Sequence, residues 1–493
     1  MNHPLLYEIN TRCWLRELSE RLHRKVTLAT VPDEELAGWQ RLGFTHIWLM
    51  GVWTTGERGR KLALDDRNLM QAYDEALPGW RKADVAGSPY SIAAYTVPAA
   101  LGGDAGLAKF RKRLHELGMK LVLDFVPNHL GCDHPWTVQR PERFVQSPVA
   151  VEGAFTADTA TGVRWLAHGK DPHFAPWTDT VQLDYRRTET RTAMRELLLT
   201  IANRCDGVRC DMAMLLLNEV FGKTWAHLPA PEAAPETEFW AKAIPAVKAR
   251  QPDFLFLAEV YWGLESRMQS LGFDFTYDKQ LYDDLIWGNA PWAQRRLLES
   301  PPEFVSASAH FLENHDERRV AAALSLEQHR AAALVILGLP GLRFLHEGQL
   351  TGARVKVPVQ LARRPMEPPV AEIQQFYERL LLALPKAGVG QGSAKLLAPR
   401  PAWPENPSGQ NFILVLWQSK PEEFTLVAVN LAPHRSQCYA PLGLPRLAER
   451  NWSMSDLLGE ERYERFGNDL ESQGVYLDLP PFGAQLFLFQ PMA

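Results

Sequence analysis

The sequence predicts an α/β protein built on a (β/α)8 barrel, and three observations carry that reading. Short apolar runs alternate with helix-like segments over most of the chain. The runs are too apolar to be half exposed, which points to a parallel sheet covered by helices. Eight such runs occur, the number a TIM barrel requires. At 493 residues the chain also exceeds one compact core, so a smaller second domain is expected.

In order, the strand candidates are "LLYEIN", "HIWLMGV", "KLVLDFV", "CDGVRCDM", "FLFLAEV", "FDFTYD", "SASAHFLEN" and "GLRFLHE". Segments such as "PDEELAGWQRLG", "GLAKFRKRLHELG" and "RTAMRELLLTIANR" supply helices between them. From about 130 to 200 the rhythm breaks into loop formers, as an insertion after the third strand would. Beyond "QGSAKLLAPRPAWPENPSGQ" come "NFILVLWQS", "FTLVAVNLA" and "GVYLDLPPFGAQLFLFQ", strands without helices between them, so a separate β-domain is expected. The division is 1–129 and 201–388 for the barrel, 130–200 for the insertion and 389–493 for the β-domain.

Composition narrows the function classes. A net charge of −5 provides no basic field for nucleic acid. No apolar run approaches the roughly 20 residues that span a bilayer. The opening "MNHPLLYEINTRCWLREL" lacks the basic and apolar regions of a signal peptide. Cys13, Cys132, Cys205, Cys210 and Cys438 form neither a disulfide framework nor a zinc pair, so a cytoplasmic protein is expected. Several of the 16 tryptophans fall in loop-like stretches, among them Trp53, Trp80, Trp136 and Trp177. They read either as packing anchors or as flat faces on which sugar rings stack.

Barrel chemistry gathers at the C-terminal ends of the strands. Four strand candidates carry an acid there: Asp124, Asp211, Glu259 and Asp316. One such carboxylate is ordinarily a cap or a surface residue; four at one end are hard to explain that way. Arg209 and Asp211 are two apart in an extended run and project from one face. The guanidinium is expected to lower the pKa of Asp211 and keep it anionic, as a nucleophile must be. A buried salt bridge that merely braces the barrel is the competing reading. Glu259 lies between "FLFLA" and Val260, Tyr261 and Trp262, where desolvation is expected to raise its pKa and keep a proton available. A charged carboxylate and a protonated one, roughly 5 Å apart, are what a retaining glycosidase uses. His129 in "PNH" and His315 in "NHD" look like donors to sugar hydroxyls.

With "DFVPNH" (124–129), "GVRCD" (207–211), "AEVYW" (258–262) and "ENHDE" (313–317) in this order, the sequence resembles the α-amylase family, glycoside hydrolase family 13. "GSPYS" (87–91) and "LHEGQ" (345–349) extend the resemblance over most of residues 5 to 385. It implies a (β/α)8 barrel with a short inserted B domain and a C-terminal antiparallel β-sandwich. It implies Asp211 as nucleophile, Glu259 as general acid/base and Asp316 as the third carboxylate, which holds sugar hydroxyls. It further implies Tyr90 as the platform under the reacting sugar, and His129 and His315 as hydroxyl-binding groups. Arg209 matches the arginine beside the nucleophile, and Asp124 the carboxylate that orients it. Asn128 matches a calcium ligand, with Asp184 in "VQLDY" a second candidate, but the insertion is short and no metal or other cofactor is assigned.

This chain departs from the family pattern at Ala94, where an aspartate commonly precedes the tyrosine. Met214 and Leu215 likewise stand where many amylases place a Lys or His against the leaving-group sugar. The leading expectation is cleavage of α-glucosidic bonds in maltooligosaccharides or related α-glucosides, with an α-glucan or α-glucoside as substrate and neither nucleic acid nor membrane as partner. Transfer to a sugar hydroxyl, as in a 4-α-glucanotransferase, or to phosphate would use the same intermediate, and the apolar pair is compatible with transfer without requiring it. A non-catalytic scaffold would have lost a carboxylate. A metal-dependent barrel hydrolase would carry a His-x-His pair at a strand end, which is absent from the sequence.

Overall fold

The computed structural model describes residues 3–229, 236–420 and 422–492. Its centre is a closed barrel of eight parallel strands: β1 (Leu5–Asn10), β2 (His46–Met50), β3 (Lys120–Phe125), β4 (Gly207–Cys210), β5 (Leu255–Ala258), β6 (Phe275–Tyr277), β7 (Ser308–His310) and β8 (Leu342–His346). Each strand pairs with its neighbours in sequence, and Leu5 to Glu8 of β1 lie opposite Arg343 to His346 of β8. All eight expected runs are strands of this barrel.

Successive residues of a strand face opposite sides, which divides the apolar side chains into two layers. Leu6, Trp48, Val122, Leu257, Tyr277 and Phe344 pack together inside the barrel. Ile9, Ile47, Leu49, Leu123, Val208 and Phe256 join the layer beneath the helices. Helix Gly103–Glu116 shows the matching helical period: Leu107, Phe110 and Leu114 are buried on one face. Arg209 lies in register with Asp124 on one side and Leu257 on the other, so it shares the interior parity.

The segment after β3 contains an antiparallel pair, His129–Gly131 with Thr180–Gln182, and a small antiparallel sheet of Gln146–Ser147, Ala154–Thr159 and Gly162–Ala167. Helix Thr188–Ala202 then leads back to β4. This is the short inserted domain of the expected fold.

The C-terminal domain stacks a six-stranded sheet and a three-stranded sheet, both antiparallel, around their own apolar core. It sits on helix Leu326–Gly338, whose residues from Ala331 onward are all buried. Trp417 donates its indole N–H to the Gly338 carbonyl at 2.7 Å. A Cβ on Gly338 would lie 2.8 Å from Val427, so only glycine permits this approach. Among the described residues no helix is long and apolar enough to cross a membrane, and the five cysteines are buried, free thiols.

Candidate active site

The site forms where the interior parity of β3, β4 and β5 reaches the C-terminal rim. Arg209, fully buried, is its centre. Its Nη1 donates to Asp211 Oδ1 at 2.7 Å, and its Nη2 donates to Glu259 Oε2 at 2.7 Å. Asp124 lies 3.5 Å from Nη1, an ion pair rather than a direct hydrogen bond. The guanidinium sits 5.2 Å from the centre of the Tyr90 ring and 5.3 Å from that of Trp48. The arginine is therefore clamped by aromatic surfaces as well as carboxylates.

Asp211 and Glu259 follow adjacent paired strands, and their backbones are tied as well: Asp211 N–H donates to Phe125 O, and Glu259 N–H to Cys210 O. Beyond Asp211 the chain turns at Met212, whose φ of 42° is left-handed. That turn aims the Met212 N–H at Glu259 Oε2, 2.7 Å away. It also carries Met214 and Leu215 into the hydrophobic core, at 0% and 3% exposure. The residues expected to meet a leaving-group sugar are thus core residues, and they lend no support to a transfer role.

Glu259 Oε2 is committed to two donors, whereas Oε1 meets the Tyr261 hydroxyl at 2.8 Å. Burial pushes the Glu259 carboxyl above its usual range, against the pull of Arg209. Asp211 departs from expectation: burial raises its pKa too, and Arg209 works against the rise without reversing it. One positive charge is shared between two desolvated carboxylates, so neither receives the full compensation that an isolated pair would. Burial likewise pushes Asp124 up to about 7, with Arg209 opposing.

The third carboxylate has the opposite environment. Asp316 is half open to solvent, and its Oδ2 lies 2.9 Å from His315 Nε2. Desolvation in the cleft opposes its charge, but the imidazolium outweighs this and holds it well below the usual carboxylate range. His315 is itself held charged: burial opposes protonation, while Asp316 and Glu8 outweigh it from either side. Glu8 Oε1 lies 2.5 Å from His315 Nδ1, and the Tyr90 hydroxyl lies 2.7 Å from Nε2. Tyr90 is half-buried, its ring stacked on His315 at 5.3 Å.

His129 opens the short pair beyond β3, its ring 5.1 Å from Trp177. Burial lowers its pKa to about 3, so it is a neutral imidazole. Trp53, by contrast, is core; its indole N–H donates to the Asp124 carbonyl at 2.8 Å. The half-exposed aromatic nearest Glu259 in sequence is Trp262, in a left-handed conformation (φ 65°) with its ring 4.9 Å from that of His173 in the insertion. Glu8 escapes the sequence reading, and Tyr261 and Trp262 enter it only as surroundings that desolvate Glu259. For Glu8 the signal was a charge inside an apolar strand, the same one that betrays Arg209.

The two calcium-ligand candidates do not fit that ion. Asn128 Oδ1 accepts from Gln182 Nε2 at 3.0 Å, and both Asp184 oxygens accept from Arg186. Among the described residues no group of three or more His, Cys, Asp or Glu is placed to hold a metal.

Comparison with known proteins agrees with this architecture. The family described as alpha amylase, catalytic domain, matches residues 34–282, just over half of the chain. Alpha-amylase MalA of Haloarcula japonica is 26% identical over 268 residues, covering 53% of this chain and 36% of that protein. Alpha-amylase 3 of Dictyoglomus thermophilum is 23% identical over 275 residues, covering 52% of each. The chain thus spans between a third and about half of the length of these curated relatives. Among solved structures, the maltogenic alpha-amylase AmyB of Thermotoga neapolitana superposes with a TM-score of 0.67 at 19% identity, covering 99% of both chains. An alpha-amylase from Lactobacillus plantarum gives the same score at 20% identity and the same coverage; these likenesses speak for the fold. With a closed barrel, carboxylates at its C-terminal rim and the family match across barrel strands β2 to β6, the chain belongs to the α-amylase catalytic-domain family.

Proposed function

We propose that the chain is a retaining α-glycosidase that cleaves α-glucosidic bonds in maltooligosaccharides or related α-glucosides. The observation that carries this reading is the guanidinium shared by Asp211 and Glu259, two carboxyls held at neighbouring nitrogens on adjacent strands. That span suits the roughly 5 Å separation of a retaining pair.

Asp211 Oδ1 is held by Arg209, which leaves Oδ2 to attack the anomeric carbon as the bond to the leaving oxygen breaks. Glu259 supplies the proton that oxygen takes up. We assign the proton to Oε1, because Oε2 already accepts from two N–H groups. In the second half, water gives its proton back to Oε1 and its oxygen displaces Asp211. Asp316, kept anionic by His315, accepts from sugar hydroxyls, Tyr90 supports the ring, and neutral His129 binds a further hydroxyl.

The substrate class rests on the named activities of the curated relatives. Transfer remains the second reading: Alpha-1,4-glucan:maltose-1-phosphate maltosyltransferase of Bifidobacterium animalis is 26% identical over 186 residues, 36% of this chain. Products longer than maltotriose, formed from maltotriose, would identify a transferase; a strict hydrolase forms none. The buried, free cysteines support a cytoplasmic location.

Glu259→Gln tests the chemistry. Activity on maltotriose should fall about 10²–10⁴-fold, while α-glucosyl fluoride, whose leaving group needs no proton, loses far less in the glycosylation step. Equal losses on both substrates defeat the assignment. A wild-type protein inert on every α-glucoside, and unchanged by the substitution, would be a scaffold.

A further inference from the structure

We propose that Arg186 is a built-in cation that takes the place of calcium at the junction of the insertion and the barrel, so the fold of this chain does not depend on that metal. The inference stands apart from which glycosidic bond is cleaved.

Calcium takes six to eight oxygen ligands in one shell. Here the oxygens that could start such a shell are bonded to nitrogen. Asp184, buried, accepts from Arg186 Nε at 2.8 Å through Oδ1 and from Nη2 at 3.0 Å through Oδ2, the bidentate geometry of a guanidinium on a carboxylate. Arg187 Nε lies a further 3.4 Å from Oδ2. Asn128 and Gln182 pair their side-chain amides reciprocally, at 3.2 and 3.0 Å. Two cations around one carboxylate leave the locality positive, which repels a divalent ion.

The remaining Arg186 nitrogen does what the rest of a metal shell would do, drawing carbonyls together. Nη1 donates to Trp225 O at 3.3 Å and to Leu228 O at 3.1 Å, at the C-terminal end of helix Asn218–Trp225. Carbonyls at a helix C-terminus carry partial negative charge, and that of Trp225 accepts from the Leu228 N–H as well as from Arg186. Asp184 N–H in turn donates to Arg143 O at 2.8 Å, near the entry of the insertion. The buried Arg186 side chain therefore ties Asp184 to the segment that follows Asp211, while the Asp184 backbone holds the earlier part of the insertion at Arg143.

The test compares the full chain in EDTA and in calcium chloride, by thermal melting and by limited proteolysis within residues 130–200. Tm and the cleavage rate should be the same in both. A Tm lowered by EDTA and restored by calcium overturns the proposal. Arg186→Met, which keeps the bulk and removes the charge, should lower Tm and speed cleavage within 130–200; a variant that melts like wild type overturns it. Asp184→Asn combined with Arg186→Met removes both charges and should recover part of the lost Tm; a double variant no better than Arg186→Met overturns the pairing.

Discussion

Glu8 on β1 and His315 beyond β7 meet at 2.5 Å across the barrel mouth, 307 residues apart in sequence. Glu8 touches no substrate in the proposed mechanism; it sets the charge of the histidine that steadies Asp316. His315 is held above its ordinary 6.5, so its charge adds stability fully present below pH 6.5 and lost as pH rises through the folded value. In Glu8→Gln, with Asp316, Tyr90 and Asp124 still facing the ring, His315 should release its proton at lower pH. The basic limb of the kcat/KM profile should move down with it. A variant with unchanged pH limits would reduce Glu8 to packing.

Tyr261 acts on the proposed acid directly. Its hydroxyl donates to Glu259 Oε1, which favours the carboxylate. Removing that donor in Tyr261→Phe should raise the Glu259 pKa further and move the basic limb of activity to higher pH. With one hydrogen bond to a charged group lost, at about 1.5–3 kcal/mol, kcat should fall by about one to two orders of magnitude while Tm changes little. A shift to lower pH would show that the hydroxyl accepts from the acid rather than donating to it.

Removing the shared cation should be costly. Arg209→Met leaves Asp211 and Glu259 desolvated without compensation, and breaking such a buried arrangement costs about 3–5 kcal/mol. Urea unfolding at pH 7 should register that loss together with loss of activity. At acid pH, where the carboxyls are protonated, the deficit should shrink. A deficit independent of pH would mean that Arg209 matters for its shape alone.

Asp124 gives a pH signature of its own. Its folded pKa of about 7 stands above the unfolded 3.8, so this group's contribution to stability is greatest below 3.8 and declines as pH rises through about 7. Asparagine at this position cannot ionise. The Tm of Asp124→Asn minus that of wild type should therefore climb between roughly pH 4 and 7; a flat difference contradicts the burial argument.

Trp262 holds a backbone conformation that costs an L-residue roughly 1–2 kcal/mol, with its indole 42% exposed against His173. Such strain persists where function needs it. Trp262→Gly should melt no lower than wild type and show a raised KM for maltooligosaccharides. A lower Tm with unchanged KM would make the indole a structural prop.

The barrel is legible in the sequence because its strands are buried on both faces and read as unbroken apolar runs. Asp211, Glu259 and Arg209 stand out for the same reason, as charges interrupting those runs. Less could be read of their neighbours. The partner that gives Glu8 its meaning lies at the far end of the barrel, and the Met212 N–H is a backbone group aimed by a left-handed turn that its side chain does not announce. The same turn withdraws Met214 and Leu215 from the place their spacing suggests. Proximity alone also misjudged Asp211: Arg209 is next to it in the strand, but the depth of burial and the second claimant on the guanidinium exist only in three dimensions.

The closure of β8 on β1 bears on the order of events during synthesis. Leu5 to Glu8 emerge from the ribosome more than 300 residues ahead of their hydrogen-bonded partners, Arg343 to His346. Glu8 must wait for residue 315 in the same way. Until then the nascent polypeptide has an open sheet edge and an incomplete reaction centre. Chains released early should therefore be both inert and prone to stick to one another.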